Sequence, residues 1–270
     1  MDRPRWAEDI DPIEAQRPSS ARVYDYFLGG AHNFAVDREL ADMIARMTPH
    51  VGDTMRANRA FVRRVVRYLV DRGVTQFLDV GSGIPTVGNV HEVAQRADPA
   101  SRVVYVDIDP VAVSHSRAIL ADNPNAVVIQ ADARDAEAIL DDPQTRALLD
   151  FDAPVALLAL GVLHFVPDED DPAGIVARLR RPLVSGSYVA LVNVTHEDQP
   201  PEVIEAQKLA GRTGTPIYLR SRAELTAQFD GLPLVDPGLV HLPLWHPDSP
   251  LDPADDPARY GALTGVARVP

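Results

Sequence analysis

Phe77-Leu78-Asp79-Val80-Gly81-Ser82-Gly83 is an apolar strand carrying one carboxylate that runs directly into a glycine turn. Glycine lacks a Cβ and tolerates left-handed dihedrals, so a Gly-x-Gly turn between strand and helix lets the backbone approach a ligand closely. Taken alone, the turn also fits an ordinary strand-to-helix connection. The dinucleotide fingerprint G-x-G-x-x-G needs a third glycine where Gly81-Ser82-Gly83-Ile84-Pro85-Thr86 has Thr86. Asp79, two residues before Gly81, would also repel a pyrophosphate. A cationic ligand suits this turn better, and S-adenosylmethionine brings both a sulfonium and an ammonium.

Two more apolar runs end in acids. Val103-Val104-Tyr105-Val106-Asp107-Ile108-Asp109-Pro110 puts Asp107 24 residues after Gly83, the length of one helix plus one strand. A doubly wound sheet sets a carboxylate there, beside ribose hydroxyls. Ala126-Val127-Val128-Ile129-Gln130-Ala131-Asp132-Ala133 ends in Asp132, which could accept from an adenine amino group or cap a helix starting near Asp135. Three successive strands thus carry carboxylates to the end of the sheet where open α/β folds bind ligands.

Residues 77–195 resemble a class I S-adenosylmethionine-dependent methyltransferase core. Upstream, Arg22-Val23-Tyr24-Asp25-Tyr26-Phe27-Leu28-Gly29-Gly30, Asn33-Phe34, Asp37-Arg38 and Ala57-Asn58-Arg59, followed by Gln76 to Thr86, resemble a bacterial family of largely uncharacterised S-adenosyl methyltransferases. The match runs from about residue 18 through nearly the whole chain. It implies a Rossmann-like fold, with a mostly parallel seven-stranded sheet and helices on both faces, and it implies S-adenosyl-L-methionine as cofactor. It names no methyl acceptor.

Composition bounds the partners. The chain has 270 residues, enough for one large α/β domain, and a net charge of −13 from 26 basic and 39 acidic residues. Lys208 is the only lysine. That balance argues against a broad nucleic-acid or anionic-membrane footprint, which needs a basic surface. With no cysteine, disulfides, thiolate metal sites and cysteine nucleophiles are excluded. The opening residues lack the apolar core of a signal peptide, and the longest apolar stretch, Ala153 to Pro167, is too short for a membrane span. A soluble, cytoplasmic protein is expected; its oligomeric state is not legible.

Residues 1–73 are expected to form an arm and helical cap, and residues 74–270 the cofactor-binding core. The arm covers 1–20. Short helices break at Gly29-Gly30, and a clearer helix over 54–72 carries Val62, Val65, Val66, Leu69 and Val70 at helical spacing until Gly73 stops it. Strands are expected near 76–81, 102–107, 126–131, 154–160 and 186–194, with helices near 87–97, 110–121, 135–149, 171–181, 200–211 and 221–229. Leu239 to Trp245 and Ala262 to Val269 form the closing antiparallel pair that the resemblance implies.

Methyl transfer from a sulfonium is an in-line displacement, so few catalytic side chains are obligatory. The expected cofactor contacts are Gly81, Ser82 and Gly83 by close backbone approach, Asp79 near the ammonium, and Asp107 on the ribose. Ile108 would pack on an adenine face, and Asp132 with the backbone of Ala133 would read the adenine edge. Arg59, one helical turn before Val62, is a candidate clamp for the cofactor carboxylate or a plain structural ion pair, with Asn58 as the neighbouring alternative. Tyr24 to Asn33 could close as a lid over the sulfonium or simply pack on the body. Tyr26 within it and His164, after the fourth strand, are the candidate catalytic residues; His164 is a general base or a hydrogen-bonded wall. His241 and His246 lack metal-motif spacing, so no metal is expected. The expected reaction is methylation of a small-molecule acceptor, with a non-catalytic S-adenosylmethionine- or S-adenosylhomocysteine-binding regulator as the alternative.

Overall fold

A computed structural model describes residues 16–86, 88–201, 204–205, 216–250, 252 and 255–270. Its centre is a sheet whose strands read as continuous apolar runs because both faces are covered. The strands are β1 (Gln76–Val80), β2 (Arg102–Asp107), β3 (Ala126–Gln130), β4 (Ala156–Leu160), β5 (Tyr188–Val194), β6 (Val240–His241) and β7 (Ala262–Arg268). Their spatial order is β3-β2-β1-β4-β5-β7-β6. The first five are parallel, and β7 runs antiparallel to both β5 and β6. This is the mostly parallel seven-stranded sheet of the Rossmann-like class I methyltransferase fold.

Side chains alternate between two cores, as the two-residue period of a strand requires. Phe77, Val103, Tyr105, Ala156 and Leu158 face one core, into which α3 (Val51–Val70) inserts Phe61, Val62, Val65, Val66 and Leu69. Leu78, Val80, Val104, Val106 and Leu157 face the other, against Ile139 of α6 (Ala136–Leu140) and Ile175, Val176 and Leu179 of α8 (Pro172–Arg180). The first core also takes α4 (Val90–Ala97) and Val113 of α5 (Pro110–Leu120).

Four expectations change. The helix expected over 135–149 is two, α6 and α7 (Pro143–Leu148), because Pro143 cannot sit in a helix interior; Asp142 caps the second by accepting from Gln144 N at 2.8 Å. The strand expected over 239–245 pairs only at Val240–His241 and then tightens into a 3₁₀ turn at Leu242–Leu244, since Pro243 has no N–H for a ladder. The helix expected near 87–97 starts only at Val90, after Gly88 with φ +82°. The helix expected over 221–229 is the shorter α9 (Arg222–Ala227), opened by a Ser221–Glu224 capping box. The arm expected over 1–20 and the helix expected over 200–211 lie largely outside the described residues. Among the described residues, no helix is long and apolar enough to cross a membrane.

Two helices precede α3: α1 (Ser20–Phe27) and α2 (Ala35–Met47). Between them the chain turns at Gly29, φ +77°, and Gly30, where a Cβ would fall 2.0 Å from an Asp25 carboxylate oxygen. Asp25 is buried and accepts from His32 N at 2.8 Å and from Asn33 Nδ2 at 2.9 Å. This knot folds α2 back along α1.

Candidate functional site

The carboxyl ends of β1, β2 and β4 meet at the glycine turn. Gly81 has φ +71°, and a Cβ there would lie 2.3 Å from Val162 Cβ, so both its dihedral and its packing demand glycine. Gly81 N and Ser82 N donate to Val106 O at 2.8 and 3.0 Å, which ties the turn to β2. Gly83, φ +62°, donates its N–H to Asp107 Oδ2 at 2.7 Å, and Asp109 N donates to Asp107 Oδ1 at 2.9 Å. Asp107 is buried, which pushes its carboxyl up from the ordinary range while these amide donors pull it back. Next to it, Ile108 is 60% exposed, a large apolar side chain left on the rim of the turn.

Asp79 is buried at the end of β1, and its carboxylate makes no hydrogen bond among the described residues. Burial pushes it up to about 7, against the pull of the Arg59 guanidinium and with a further push from Asp107. Arg59 projects from α3 and lies over the Tyr24 ring, 5.4 Å from its centroid. Its Nη1 donates to Asn89 Oδ1, on the connection into α4. Arg59 is therefore shared between an aromatic face, an amide and the field of Asp79.

Asn58, one residue earlier, donates from Nδ2 to Leu160 O at 3.0 Å and to the Tyr24 hydroxyl at 3.2 Å. The Tyr24 hydroxyl in turn donates to Met55 O at 3.3 Å. Gly161 turns the chain here with φ +114°, a conformation that favours glycine, and its open face looks towards Asn58 and His164, where a Cβ would lie 3.6 Å from Asn58 Nδ2 and 3.8 Å from His164 Cε1. His164 sits in the 3₁₀ turn Leu163–Phe165, where burial, and then the Arg220 guanidinium, bring its imidazole down to about 3. Arg220 is itself buried and fastens that turn by donating to Leu163 O, Val166 O and Asp168 Oδ1.

The cap meets the same end of the sheet. Arg22 of α1 donates from Nε to Asp37 of α2 at 2.8 Å and places Nη1 3.6 Å from Asp109, the residue after Ile108. Ser19 Oγ donates to the same Asp109 carboxylate, and Ala21 Cβ lies 3.8 Å from the Cβ position of Gly83. Asp109 also caps α5 by accepting from Val111 N at 2.8 Å.

The structure brings together most of the expected site residues but not all. Tyr26 points elsewhere: its hydroxyl donates to Asp42 on α2 at 3.2 Å in an exposed contact, and the tyrosine that joins the cluster is Tyr24. Asp132 does not cap the helix near Asp135; Asp135 does so itself by accepting from Ala138 N at 2.9 Å. The Asp132 carboxylate is gripped by Arg134, which reaches on to Asp170 at 2.9 Å and holds Asp132 below the usual carboxylate range. Asp168 and Asp170 are ion-pair partners of Arg220 and Arg134. Asn89 and Arg220 carried no motif in the sequence. Asp109-Pro110 did carry the signal of a cap followed by a first-turn proline.

The pieces fit an adenosyl amino acid. Two left-handed glycines leave the turn open to close approach, a buried carboxylate ends the neighbouring strand, and an exposed aliphatic side chain flanks it. Comparison with known proteins agrees. A family model described as S-adenosyl methyltransferase matches residues 6–270. The crystal structure of a candidate methyltransferase from Thermobifida fusca is 38% identical, covers 97% of this chain and 98% of its own, and superposes with a TM-score of 0.90. A DUF574 family protein from Streptomyces avermitilis is 42% identical over 96% of this chain and 100% of its own, also at 0.90. No curated protein matches the sequence. The chain belongs to the S-adenosyl methyltransferase family and is an S-adenosylmethionine-dependent methyltransferase.

Proposed function

We propose that the protein methylates a small-molecule acceptor at a site roofed by α1 and α2, with residues 1–73 contributing the cap and residues 74–270 the cofactor-binding core. The observation that carries the small-acceptor reading is the docking of Ser19, Ala21 and Arg22 over Gly83 and Asp109, which narrows the approach to the turn. The net charge of −13 supports the same reading, since it disfavours a polyanionic acceptor.

S-adenosylmethionine supplies a methyl group activated on a sulfonium. The chain's own residues hold, orient and exclude water. Gly81, Ser82 and Gly83 admit the amino-acid half to the backbone, and Asp79 faces its ammonium while Arg59 takes its carboxylate. Asp107 accepts from the ribose hydroxyls: each carboxylate oxygen has two lone pairs, and the amides of Gly83 and Asp109 occupy one on each. Ile108 covers an adenine face. Asp132, oriented by Arg134, and the N–H of Ala133 lie on the adenine edge. His164 is a wall of the acceptor site rather than a base, because an imidazole held at about 3 has little affinity for a proton at neutral pH. Tyr24, rather than Tyr26, is the tyrosine of the lid segment that faces the site, and its buried hydroxyl, pushed up from the ordinary tyrosine value by burial, stays neutral.

The test is transfer of a labelled methyl group from S-adenosylmethionine into fractions of a cell extract. Label appearing in the low-molecular-weight fraction supports the reading. Label confined to protein or nucleic acid overturns it.

A further inference from the structure

Among the described residues, four around the glycine turn leave buried polar capacity unused, and the hydrogen bonds that three of them already make fix which of their atoms remain. Both hydrogens of Asn58 Nδ2 are committed, to Leu160 O and to the Tyr24 hydroxyl, and flipping the amide would set Oδ1 against the Leu160 carbonyl oxygen, which cannot donate. Its Oδ1 is left buried with no partner. Asn89 is the mirror case: Oδ1 accepts from Arg59, and Nδ2 is left buried with no partner. Arg59 donates from Nη1 to Asn89 and keeps Nε buried and unpaired. Asp79 contributes a buried carboxylate with no hydrogen bond.

Buried polar atoms are nearly always satisfied, so four unmatched groups at one turn call for a ligand of matching pattern. Asn58 Oδ1 and Asp79 are acceptors; Arg59 Nε and Asn89 Nδ2 are donors. Two acceptors and two donors complement an ammonium and a carboxylate carried by one carbon.

We infer that Asn58 and Asn89 are cofactor-selecting residues: with Asp79 and Arg59 they form a zwitterion socket that accepts adenosyl ligands only when these carry an intact α-amino-acid head. Asn58 Oδ1 accepts from the ammonium. Asn89 orients Arg59 through its oxygen and donates to the carboxylate through its nitrogen. This rests on the cofactor placement proposed above and adds both asparagines and the basis of selection. A ligand lacking the head leaves all four groups desolvated and unmatched, a penalty far larger than that of one missing methylene.

The experiment titrates the full chain with S-adenosylhomocysteine and with 5′-methylthioadenosine, which has the same adenosyl thioether but no amino-acid head. Wild-type protein should prefer the former by about a hundredfold or more. Asn58→Leu and Asn89→Leu should each weaken S-adenosylhomocysteine about tenfold and leave 5′-methylthioadenosine within about twofold. Asn89→Asp keeps the acceptor for Arg59 but puts a negative oxygen where the donor was, so it should discriminate against the carboxylate ligand more strongly than Asn89→Leu does. It also serves if the leucine variants fail to fold. Equal wild-type affinity for the two ligands, or variants that weaken both alike, would overturn the inference while sparing the cofactor reading. Failure of the wild-type chain to bind either ligand would overturn the cofactor reading itself.

Discussion

The turn after β1 and the turn after β4 sit side by side at the same edge of the sheet, yet they are built by different means. The first is held through its own N–H groups: Gly81 and Ser82 donate to the Val106 carbonyl, Gly83 donates to the Asp107 carboxylate, and every partner lies within about one βα unit. The second is held by side chains from far along the chain, with Asn58 reaching Leu160 across 102 residues and Arg220 reaching Leu163 across 57. A turn tied down through its own N–H groups is disturbed little by sequence drift elsewhere. The second turn is assembled from long-range side chains, each replaceable without breaking a strand.

Gly81→Ala should give the largest effect. The substitution strains a left-handed residue and drives its Cβ against Val162, so about 2–4 kcal/mol of stability should be lost and cofactor affinity should fall about a hundredfold, checked by thermal melts and calorimetry. An unperturbed Gly81→Ala protein would mean that the first turn is no more constrained than the second.

Asp107→Ala comes next. Losing charge-assisted bonds to the ribose costs about 1.5–3 kcal/mol, so S-adenosylmethionine affinity should drop roughly tenfold or more in a folded protein. Unchanged affinity by calorimetry would remove Asp107 from the ribose.

Asp79→Asn should separate stability from binding. A folded-state value of about 7, above the ordinary 3.8, means that the native state holds its proton more tightly than the unfolded chain. Stability is then greatest below about pH 4, is lost as pH rises towards 7, and is level above that. At pH 8 the asparagine variant escapes a cost of at most about 4 kcal/mol and should melt higher than wild type. Its cofactor affinity should be weaker and flat with pH, whereas wild-type affinity should rise about tenfold from pH 6 to pH 8 as the carboxylate ionises. A wild-type affinity that does not vary over this range would show that the ammonium does not meet Asp79.

His164→Gln should do least: maximal turnover and its pH profile should match wild type, because a neutral wall residue moves no proton. A rate loss of about a hundredfold or more would make it the base after all, and would give the second turn a chemical role that its geometry does not suggest.

The same contrast decided what could be read in advance. The strands from 76 to 194 and the carboxylates at their ends follow from continuous apolar runs that end in acids and from glycine turns, all local signals. Gly81, Gly83 and Asp107 are legible for that reason. Tyr24 and Tyr26 sit two positions apart on one helix, and only the packing of α1 decides which of them meets Arg59. Asn89 lies in a connection with no periodicity, and its bond to Arg59 spans 30 residues that no pattern links. The break at Pro143 was visible as a proline after two aspartates. The shortness of β6 depends on Pro243 meeting the edge of a sheet that local sequence does not announce.

The insertion of β7 between β5 and β6 sets the order in which the molecule can be completed. β5 pairs with β7 along its whole length, from Tyr188 with Arg268 to Val194 with Ala262, so one flank of its apolar run Tyr188-Val189-Ala190-Leu191-Val192 stays bare until residues 262–268 arrive. A chain emerging from a ribosome therefore presents β5 as an open edge while some seventy more residues are made, and such an edge is a template for pairing with neighbouring chains. Truncation before Ala262 is expected to yield aggregates rather than a smaller soluble core, and a chaperone that shields extended apolar segments would act on this strand.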